Sequence, residues 1–335
     1  MELHLENNDN LFVHPRVLSE LLTSALGHVE ISTYPDLSYK DLRVRIGKYY
    51  NVEPNDVTVG CGSAQLIDFL LRRYAHVIYG WPNFGLYRLV TDHSRIRRIE
   101  IPLSFEDPWN LQSMMAVGSS DSLAVIVSPH CPLGCQLEES LLLDFLNRFP
   151  GTVLLDEAYV EYGQYSAINL VPKFSNLVVL RTFSKAWGLA ALRVGFAVGA
   201  GLDQTEIYRG QLVPWSIGTL SAQACMDAMD RDGYVKAAVQ ETRDSKQWTY
   251  EALRRIRGLE IYNTAANFLL LQYAESKELL AALEARRLYL RDLDGKVNHG
   301  LRMTIGPLEK MRIAVARIRE AVDEVSARLP TREVI

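Results

Sequence analysis

A short part of the sequence concentrates residues that can perform covalent and proton-transfer chemistry. Asp156 ends one apolar run, Lys185 follows Thr182 and Ser184 after a second run, and Arg193 comes eight residues later. Each residue alone has an ordinary explanation, because aspartates often cap helices and most lysines lie on the surface. Together they supply an amine, a carboxylate, two hydroxyls and a cation in one neighbourhood of the chain.

This combination matches the requirements of pyridoxal phosphate. That cofactor needs a lysine for a Schiff base, a carboxylate for its ring nitrogen, and hydroxyls, backbone N–H groups and a cation for its phosphate. With Tyr159 added, the segment contains the complete set. We therefore predict Lys185, Asp156 and Tyr159 as catalytic residues.

The elements that must position these residues alternate along the first two thirds of the chain. Apolar runs predict strands at 56–60, 76–79, 123–127, 152–155, 177–180 and 194–198, and amphipathic spacing predicts helices at 63–74, 82–92 and 138–148. Such alternation favours an α/β fold with a mostly parallel sheet covered by helices. Asp156 would then lie at the carboxyl rim of the sheet, where ligands bind in such folds.

The last third has more widely spaced elements. Strands are predicted at 267–271 and 301–305, and helices at 241–257, 277–287 and 309–329, which suggests a smaller α+β domain. We predict an N-terminal arm at 1–29, a large cofactor domain at 30–240 and a small domain at 241–335. The boundary falls inside a long helix because no Pro/Gly/Ser-rich linker is present.

Composition excludes several classes of protein. The 335 residues are 48% hydrophobic and 23% charged, with 36 basic and 40 acidic side chains, so neither global disorder nor a basic nucleic-acid surface is indicated. No apolar stretch reaches the length of a membrane span, and the first residues do not resemble a signal peptide, so we expect a cytoplasmic protein. Cys131 and Cys135 lack a second ligand pair, which disfavours zinc; we predict no metal.

The motifs themselves resemble a known family. Ser184–Gly195 is similar to the lysine motif of fold-type I pyridoxal-phosphate aminotransferases, specifically the histidinol-phosphate aminotransferase group, and Asp156–Tyr159 is similar to its Asp-Glu-Ala-Tyr motif. The resemblance spans most of the chain. It implies an aspartate-aminotransferase-like fold, a homodimer with shared active sites, and amino transfer between an amino acid or amino-alkyl phosphate and a 2-oxo acid.

Weaker matches imply roles for further residues. For the cofactor, these are Ser63, Ala64 and Gln65 at a phosphate-binding helix N-terminus, Phe84 as the stacking ring, Cys131, Thr182, Ser184 and Arg193, and Tyr34 reaching the partner subunit's phosphate. For the substrate, they are Asn10, Arg291 and Arg302, with Arg302 holding a carboxylate.

One motif departs from the family. The family carries Asn-Pro-Asn-Asn-Pro-Thr-Gly where this chain has Ser128–Gly134, so Cys131 replaces the asparagine that donates to the cofactor's 3-hydroxyl. A thiol is a poor donor, and Tyr159 would hold that oxygen alone. His130 could fill the space that the asparagine leaves.

Alternative interpretations remain. Gly60 and Gly62 begin a dinucleotide-type pattern, but Gln65 stands at its third glycine position. Phe84 and Tyr87 could be core residues, and Arg302 could be part of a salt bridge. Within the family's chemistry, the alternatives to amino transfer are decarboxylation of an amino acid phosphate or the reaction of a specialised biosynthetic enzyme of the same fold. A non-catalytic cofactor-binding protein is the third hypothesis.

Overall fold

The N-terminal segment contacts both halves of the molecule. The structure, a computed structural model, describes residues 1–200, 202 and 212–328. The chain begins with a short strand, β1 (Leu3–His4), followed by helices α1 (Pro15–Leu26) and α2 (Lys40–Tyr50). Leu3 and Leu5 belong to the core of the smaller half, whereas Leu21 of α1 belongs to the core of the larger half. The segment therefore bridges the two.

A seven-stranded sheet forms the centre of the larger half. Its strands are β2 (Val57–Cys61), β3 (His76–Trp81), β4 (Arg97–Pro102), β5 (Ser122–Val127), β6 (Thr152–Asp156), β7 (Leu177–Thr182) and β8 (Val194–Gly199). Their order is β2-β8-β7-β6-β5-β3-β4. Strands β3 to β7 are parallel, and β8 is antiparallel to both of its neighbours. The predicted mostly parallel sheet is confirmed.

Helices cover both faces of this sheet. They are α3 (Gly62–Leu71), α4 (Gly85–His93), α5 (Leu111–Val117), α6 (Glu139–Arg148) and α7 (Thr219–Asp230), with α1 packed against α7. Alternate residues of β5 enter different cores: Ala124 and Ile126 lie in one, and Leu123 and Val125 lie in the other. A strand buried on both faces explains the continuous apolar run in the sequence.

The smaller half is an antiparallel sheet with helices. Helix α8 (Gly233–Leu253) leads into β9 (Glu260–Tyr262), β10 (Phe268–Gln272), α9 (Ser276–Ala285), β11 (Leu288–Tyr289), β12 (Arg291–Asp292), β13 (Gly300–Thr304) and α10 (Leu308–Arg328). The sheet order is β12-β13-β10-β9, and β1 pairs with β11. Among the described residues, no helix is both long and apolar enough to cross a bilayer.

Helix α8 passes from one core to the other. Val235 and Val239 pack in the larger core, and Leu253 packs in the smaller one. The helix begins eight residues before the predicted start at 241 because its apolar spacing already begins at Val235. Strand β4 was not predicted, since Arg97, Arg98 and Glu100 hide its pattern at the sheet edge. Residue 329, the predicted end of the last helix, lies outside the described residues.

Candidate active site

A cavity of about 600 Å³ lies at the carboxyl ends of the central strands. This volume is ordinary for a small-molecule site. The cavity brings together twelve of the fifteen predicted residues: Ser63, Ala64, Phe84, Cys131, Asp156, Tyr159, Thr182, Ser184, Lys185, Arg193, Arg291 and Arg302.

The carboxylate of Asp156 is buried at the end of β6. Its Oδ2 accepts a hydrogen bond from the Tyr87 hydroxyl at 2.6 Å, and its Oδ1 accepts one from the Ala158 N–H at 3.0 Å. Burial raises the pKa of Asp156, and both hydrogen bonds oppose that rise. A buried carboxylate held by neutral donors suits a cationic N–H group placed in the cavity.

The amine of Lys185 lies in the loop that follows β7. Nζ donates to the backbone oxygens of Asn7 at 3.0 Å and Asn8 at 3.2 Å. Burial, assisted by the nearby positive charge of Arg302, lowers the pKa of Lys185 to about 8. An amine with this pKa is partly unprotonated near neutral pH and can therefore act as a nucleophile or base.

Backbone N–H groups and a guanidinium lie together where α3 begins. Ser63 and Ala64 form its first turn, where backbone N–H groups have no helical partner. Arg193 stands beside them, and its Nη1 donates to the Ala190 oxygen at 2.9 Å. A Cβ on Gly62, whose φ is +69°, would lie 2.5 Å from the Arg193 Nη2. The guanidinium therefore packs against the start of the helix only because residue 62 is glycine.

Tyr159, Cys131 and Arg302 meet on another wall. The Arg302 Nη1 donates to the Cys131 Sγ at 3.2 Å, and its Nη2 donates to the Glu6 oxygen at 2.7 Å. Arg302 forms no ion pair with a carboxylate of the described residues, which removes the salt-bridge interpretation. Burial raises the pKa of Tyr159 well above its ordinary value, so its phenol is neutral and a proton donor.

Two further cations lie near Arg302. Arg291 donates to the Glu6 oxygen at 3.3 Å and to the Asn7 Oδ1 at 2.9 Å. Lys296 lines the cavity and donates to the Asn83 oxygen at 3.2 Å, and desolvation lowers its pKa. These contacts are made to neutral oxygens, which an anion could replace as acceptors.

Three predicted residues do not line the cavity. The Gln65 Oε1 accepts from the Cys61 N–H at 2.6 Å and so holds the start of α3. The Asn10 Nδ2 donates to the Ala186 oxygen at 2.7 Å, beside Lys185 rather than in the cavity. Tyr34 is 82% exposed and packs against Trp215, so its predicted contact with a partner subunit stays a prediction.

Three residues of the site were not assigned their roles from the sequence. Tyr87 is a core residue, as one interpretation of the sequence had it, but the donation of its buried hydroxyl to Asp156 was not foreseen. Asn8 was not among the predicted residues, yet its amide donates to Tyr159. Lys296 was not considered, although it lies between the predicted Arg291 and Arg302. Lys296 could have been found from the sequence, because it lies between two predicted cations. The roles of Asn8 and Tyr87 could not, because their contacts join distant parts of the chain.

The metal interpretation of the two close cysteines finds no support. Cys131 and Cys135 are free thiols. Within the part of the chain that the structure describes, no group of three or more His, Cys, Asp or Glu side chains could hold a metal ion. Burial lowers the pKa of His130 to about 3, so this side chain is neutral.

Comparison with known proteins decides the family. The model of the family "Aminotransferase class I and II" matches residues 2–318. The chain belongs to this family. This aminotransferase is 30% identical over 327 residues to the histidinol-phosphate aminotransferase of Thermococcus gammatolerans, covering 97% of this chain and 92% of the relative. The predicted family and transaminase class are confirmed.

Solved structures share the fold of the aminotransferase. Histidinol-phosphate aminotransferase from Sinorhizobium meliloti, solved in complex with pyridoxal-5'-phosphate, matches with a TM-score of 0.87 at 18% identity over 97% of this chain and 92% of that one. L-threonine-O-3-phosphate decarboxylase from Porphyromonas gingivalis matches with 0.82 at 19% identity over 97% and 100%. The predicted fold class is confirmed, and the fold alone accommodates both reactions.

Proposed function

We propose that this aminotransferase binds pyridoxal phosphate at Lys185 and moves an amino group between an amino acid or amino-alkyl phosphate and a 2-oxo acid. The observation that carries the proposal is the pairing of a buried amine with a lowered pKa and a buried carboxylate in one cavity. The name of the Thermococcus relative supports amino-alkyl phosphates as a substrate class.

The residues present fit this cofactor. The phosphate would be held at the start of α3 by Ser63, Ser184 and Arg193, all of which line the cavity, and Gly62 leaves room there for the Arg193 guanidinium. Asp156 would pair with the ring nitrogen, and Tyr159 would donate to the ring oxygen. When bound, pyridoxal phosphate supplies an aldehyde that captures amines and a ring that accepts electrons from a broken Cα–H bond.

The protein's own groups move the proton. Once a substrate amine has replaced it, the Lys185 Nζ would be free to take the proton from the substrate Cα and to return it to the carbon on the other side of the substrate nitrogen. Asp156, whose charged form is stabilised by the Tyr87 hydroxyl and the Ala158 N–H, would pair with the ring nitrogen and favour a proton there. Because Asp156 is buried and held by Tyr87, it needs little reorganisation when charge develops.

The cations of the smaller half set the substrate class. Arg302, Arg291 and Lys296 present three positive charges to the cavity. One substrate carboxylate needs only one guanidinium, so the remaining cations favour a second anionic group, a phosphate or a second carboxylate. Their present partners, the Glu6 oxygen, Asn7 side chain and Asn83 oxygen, are weaker acceptors than such an anion.

A second copy of the chain would complete the site. Tyr34, Ile31, Val213 and Trp215 are large apolar side chains that are 82%, 73%, 66% and 47% exposed. Burying such side chains against another copy is favourable and would let Tyr34 reach the partner's phosphate, as the family resemblance implies. We infer a homodimer with shared active sites.

The products distinguish amino transfer from decarboxylation. The yellow protein, loaded with pyridoxal phosphate, is incubated with amino acids and amino-alkyl phosphates while its visible spectrum is followed. Amino transfer predicts loss of the visible band, a carbonyl product, and recovery of the band on adding 2-oxoglutarate. Stoichiometric carbon dioxide without a carbonyl product would instead establish the decarboxylase.

A further inference from the structure

Asn8 connects the smaller half of the molecule to the Tyr159 phenol. Its side chain is fully buried, and its Nδ2 donates to the Tyr159 Oη at 2.9 Å. On its other side, Asn8 forms two hydrogen bonds with Thr304, the last residue of β13. Asn8 thus links Tyr159 to β13 through side-chain hydrogen bonds.

Thr304 fixes the orientation of the Asn8 amide. The Thr304 Oγ1 accepts from the Asn8 backbone N–H at 2.9 Å, which leaves the hydroxyl proton free to be donated to the Asn8 Oδ1 at 3.3 Å. An amide whose oxygen already receives that proton presents its NH₂ group to the opposite side. The donor therefore points at Tyr159.

This orientation decides where the Tyr159 proton goes. If the amide were reversed, its oxygen would accept the phenol proton and remove it from the cavity. With Nδ2 donating, the phenol oxygen is the acceptor, and its own O–H is left for an acceptor on the side away from Asn8, where Cys131 and the cavity lie. Receiving a hydrogen bond also makes the phenol a better donor.

The backbone of Asn8 is held equally firmly. Its φ is 57°, a left-handed conformation that asparagine tolerates better than most residues. Its carbonyl oxygen accepts from the Asn267 Nδ2 at 3.1 Å and from the Lys185 Nζ at 3.2 Å. One residue thus contacts both the amine and the phenol of the site.

We propose that Asn8, oriented by Thr304, is a positioning residue that aims the Tyr159 proton at the ring oxygen of the bound cofactor. The inference rests on the proposed function. It matters in this chain because the neighbouring group, Cys131, is a thiol and a weak donor. Tyr159 is then the main donor to that oxygen, and the direction of its O–H group determines how well the oxygen's negative charge is stabilised.

The test compares Thr304→Val with Thr304→Ser in the cofactor-loaded protein. The readout is the pH midpoint of the visible band, which reports the proton on the Schiff-base nitrogen beside the ring oxygen. Weaker donation to the oxygen leaves more negative charge to hold that proton. We therefore expect Thr304→Val to raise the midpoint by about one pH unit, and Thr304→Ser to retain the wild-type value.

Both variants keep the other charged and titratable groups near the Tyr159 phenol, which are Cys131, Arg302 and Lys185. Asn8→Ser removes the donor without adding charge and should raise the midpoint similarly. It replaces Thr304→Val as the test if that variant does not fold. Wild-type midpoints in Thr304→Val, or in Asn8→Ser, would overturn the inference. A wild-type protein without a visible band would contradict the proposed function instead.

Discussion

At the scale of single residues, the site depends on buried groups whose ionisation is set by identifiable neighbours. Asp156 is buried, which raises its pKa, and the Tyr87 hydroxyl and Ala158 N–H stabilise its charged form. Lys185 is buried beside Arg302, and both factors lower its pKa to about 8. Opposite shifts of an amine and a carboxylate in one cavity are typical of catalytic sites.

Removing the Tyr87 hydroxyl should weaken cofactor binding. In Tyr87→Phe, the pKa of Asp156 rises further, so the carboxylate is less able to pair with a protonated ring nitrogen. A hydrogen bond to a charged group contributes about 1.5–3 kcal/mol, so we expect the Kd for pyridoxal phosphate to rise at least about tenfold in a spectroscopic titration.

Tyr79→Phe is the matched control for that variant. Tyr79 is also fully buried, but its hydroxyl donates to Glu100 at 2.9 Å. We expect this variant to bind the cofactor as the wild type does. Equal Kd values in Tyr87→Phe and Tyr79→Phe would show that the Asp156–Tyr87 contact has no role in binding.

Replacing Lys296 should change substrate preference. Lys296→Met removes a cation from the cavity, so we expect the KM for 2-oxoglutarate, which carries two carboxylates, to rise about tenfold. The KM for pyruvate, which carries one, should change little. Steady-state kinetics with both acceptors provide the measurement.

Lys277→Met offers a comparison from the same half of the molecule, since Lys277 is exposed and pairs with Asp294. It should leave both KM values unchanged. Equal effects of Lys296→Met on the two acceptors would contradict a role for Lys296 in selecting dianionic substrates.

At the scale of elements, the start of α3 is the feature that a phosphate would require. Gly62 adopts a φ of +69°, and the Arg193 guanidinium occupies the space that a Cβ would fill. In Gly62→Ala, the backbone strain and the displaced guanidinium should lower the free energy of unfolding by about 1–2 kcal/mol. Affinity for the cofactor should fall as well. It is measured by titration, once a denaturant-unfolding curve has shown that the variant is folded.

Gly233→Ala is the control for this substitution. Gly233 begins α8, and a Cβ there would meet nothing within 4 Å. We expect wild-type affinity and wild-type or slightly higher stability. Unchanged cofactor affinity in Gly62→Ala would exclude the start of α3 as the phosphate site.

Some strands could be located from the sequence alone, and others could not. Apolar runs located β5, β6 and β7, because strands buried on both faces leave a continuous signal. The motif around Lys185 follows β7 directly, so its residues could be assigned locally. Strand β4 lies at the sheet edge with charged side chains, and its pattern did not stand out.

Contacts between distant residues could not be read in the same way. The Asn8–Tyr159 hydrogen bond joins positions 151 residues apart, and the Tyr87–Asp156 bond joins positions 69 apart. Neither spacing has a local pattern. Asn10, two residues from Asn8, was predicted instead, because the family resemblance does not show which amide points towards the site.

At the scale of the whole molecule, the site lies between two cores that the N-terminal segment and α8 connect. Leu3 and Leu5 pack in the smaller core, and Val235 of α8 packs in the larger one. The backbone of residues 6–8 accepts hydrogen bonds from Arg291, Arg302 and Lys185, the cations that the proposal assigns to substrate and cofactor. Substrate binding would therefore compete with contacts that hold this segment.

A shared dimeric site predicts complementation between two inactive variants. Lys185→Ala and Tyr34→Ala should each show little activity alone. In a mixed dimer, the intact Lys185 of one subunit would meet the intact Tyr34 of the other. After unfolding and refolding the two together, random pairing gives about a quarter of wild-type activity. Activity no higher than the sum of the separate variants would exclude a site shared in this way.

The lysine that carries the cofactor can be identified directly. The structure offers three lysines that could carry the cofactor. Lys185 lies in the cavity with a pKa of about 8, and Lys296 also lines the cavity. Lys246 is buried with a similarly lowered pKa, but its Nζ donates to the backbone oxygens of Thr264 and Ala266.

The protein loaded with pyridoxal phosphate is reduced with borohydride, which fixes the lysine adduct, and its peptides are analysed by mass spectrometry. If Lys185 carries the cofactor, one adduct forms per chain on Lys185 and none forms in Lys185→Ala, and we expect this result. An adduct on Lys246 or Lys296, or no adduct in a folded wild-type protein, would contradict it.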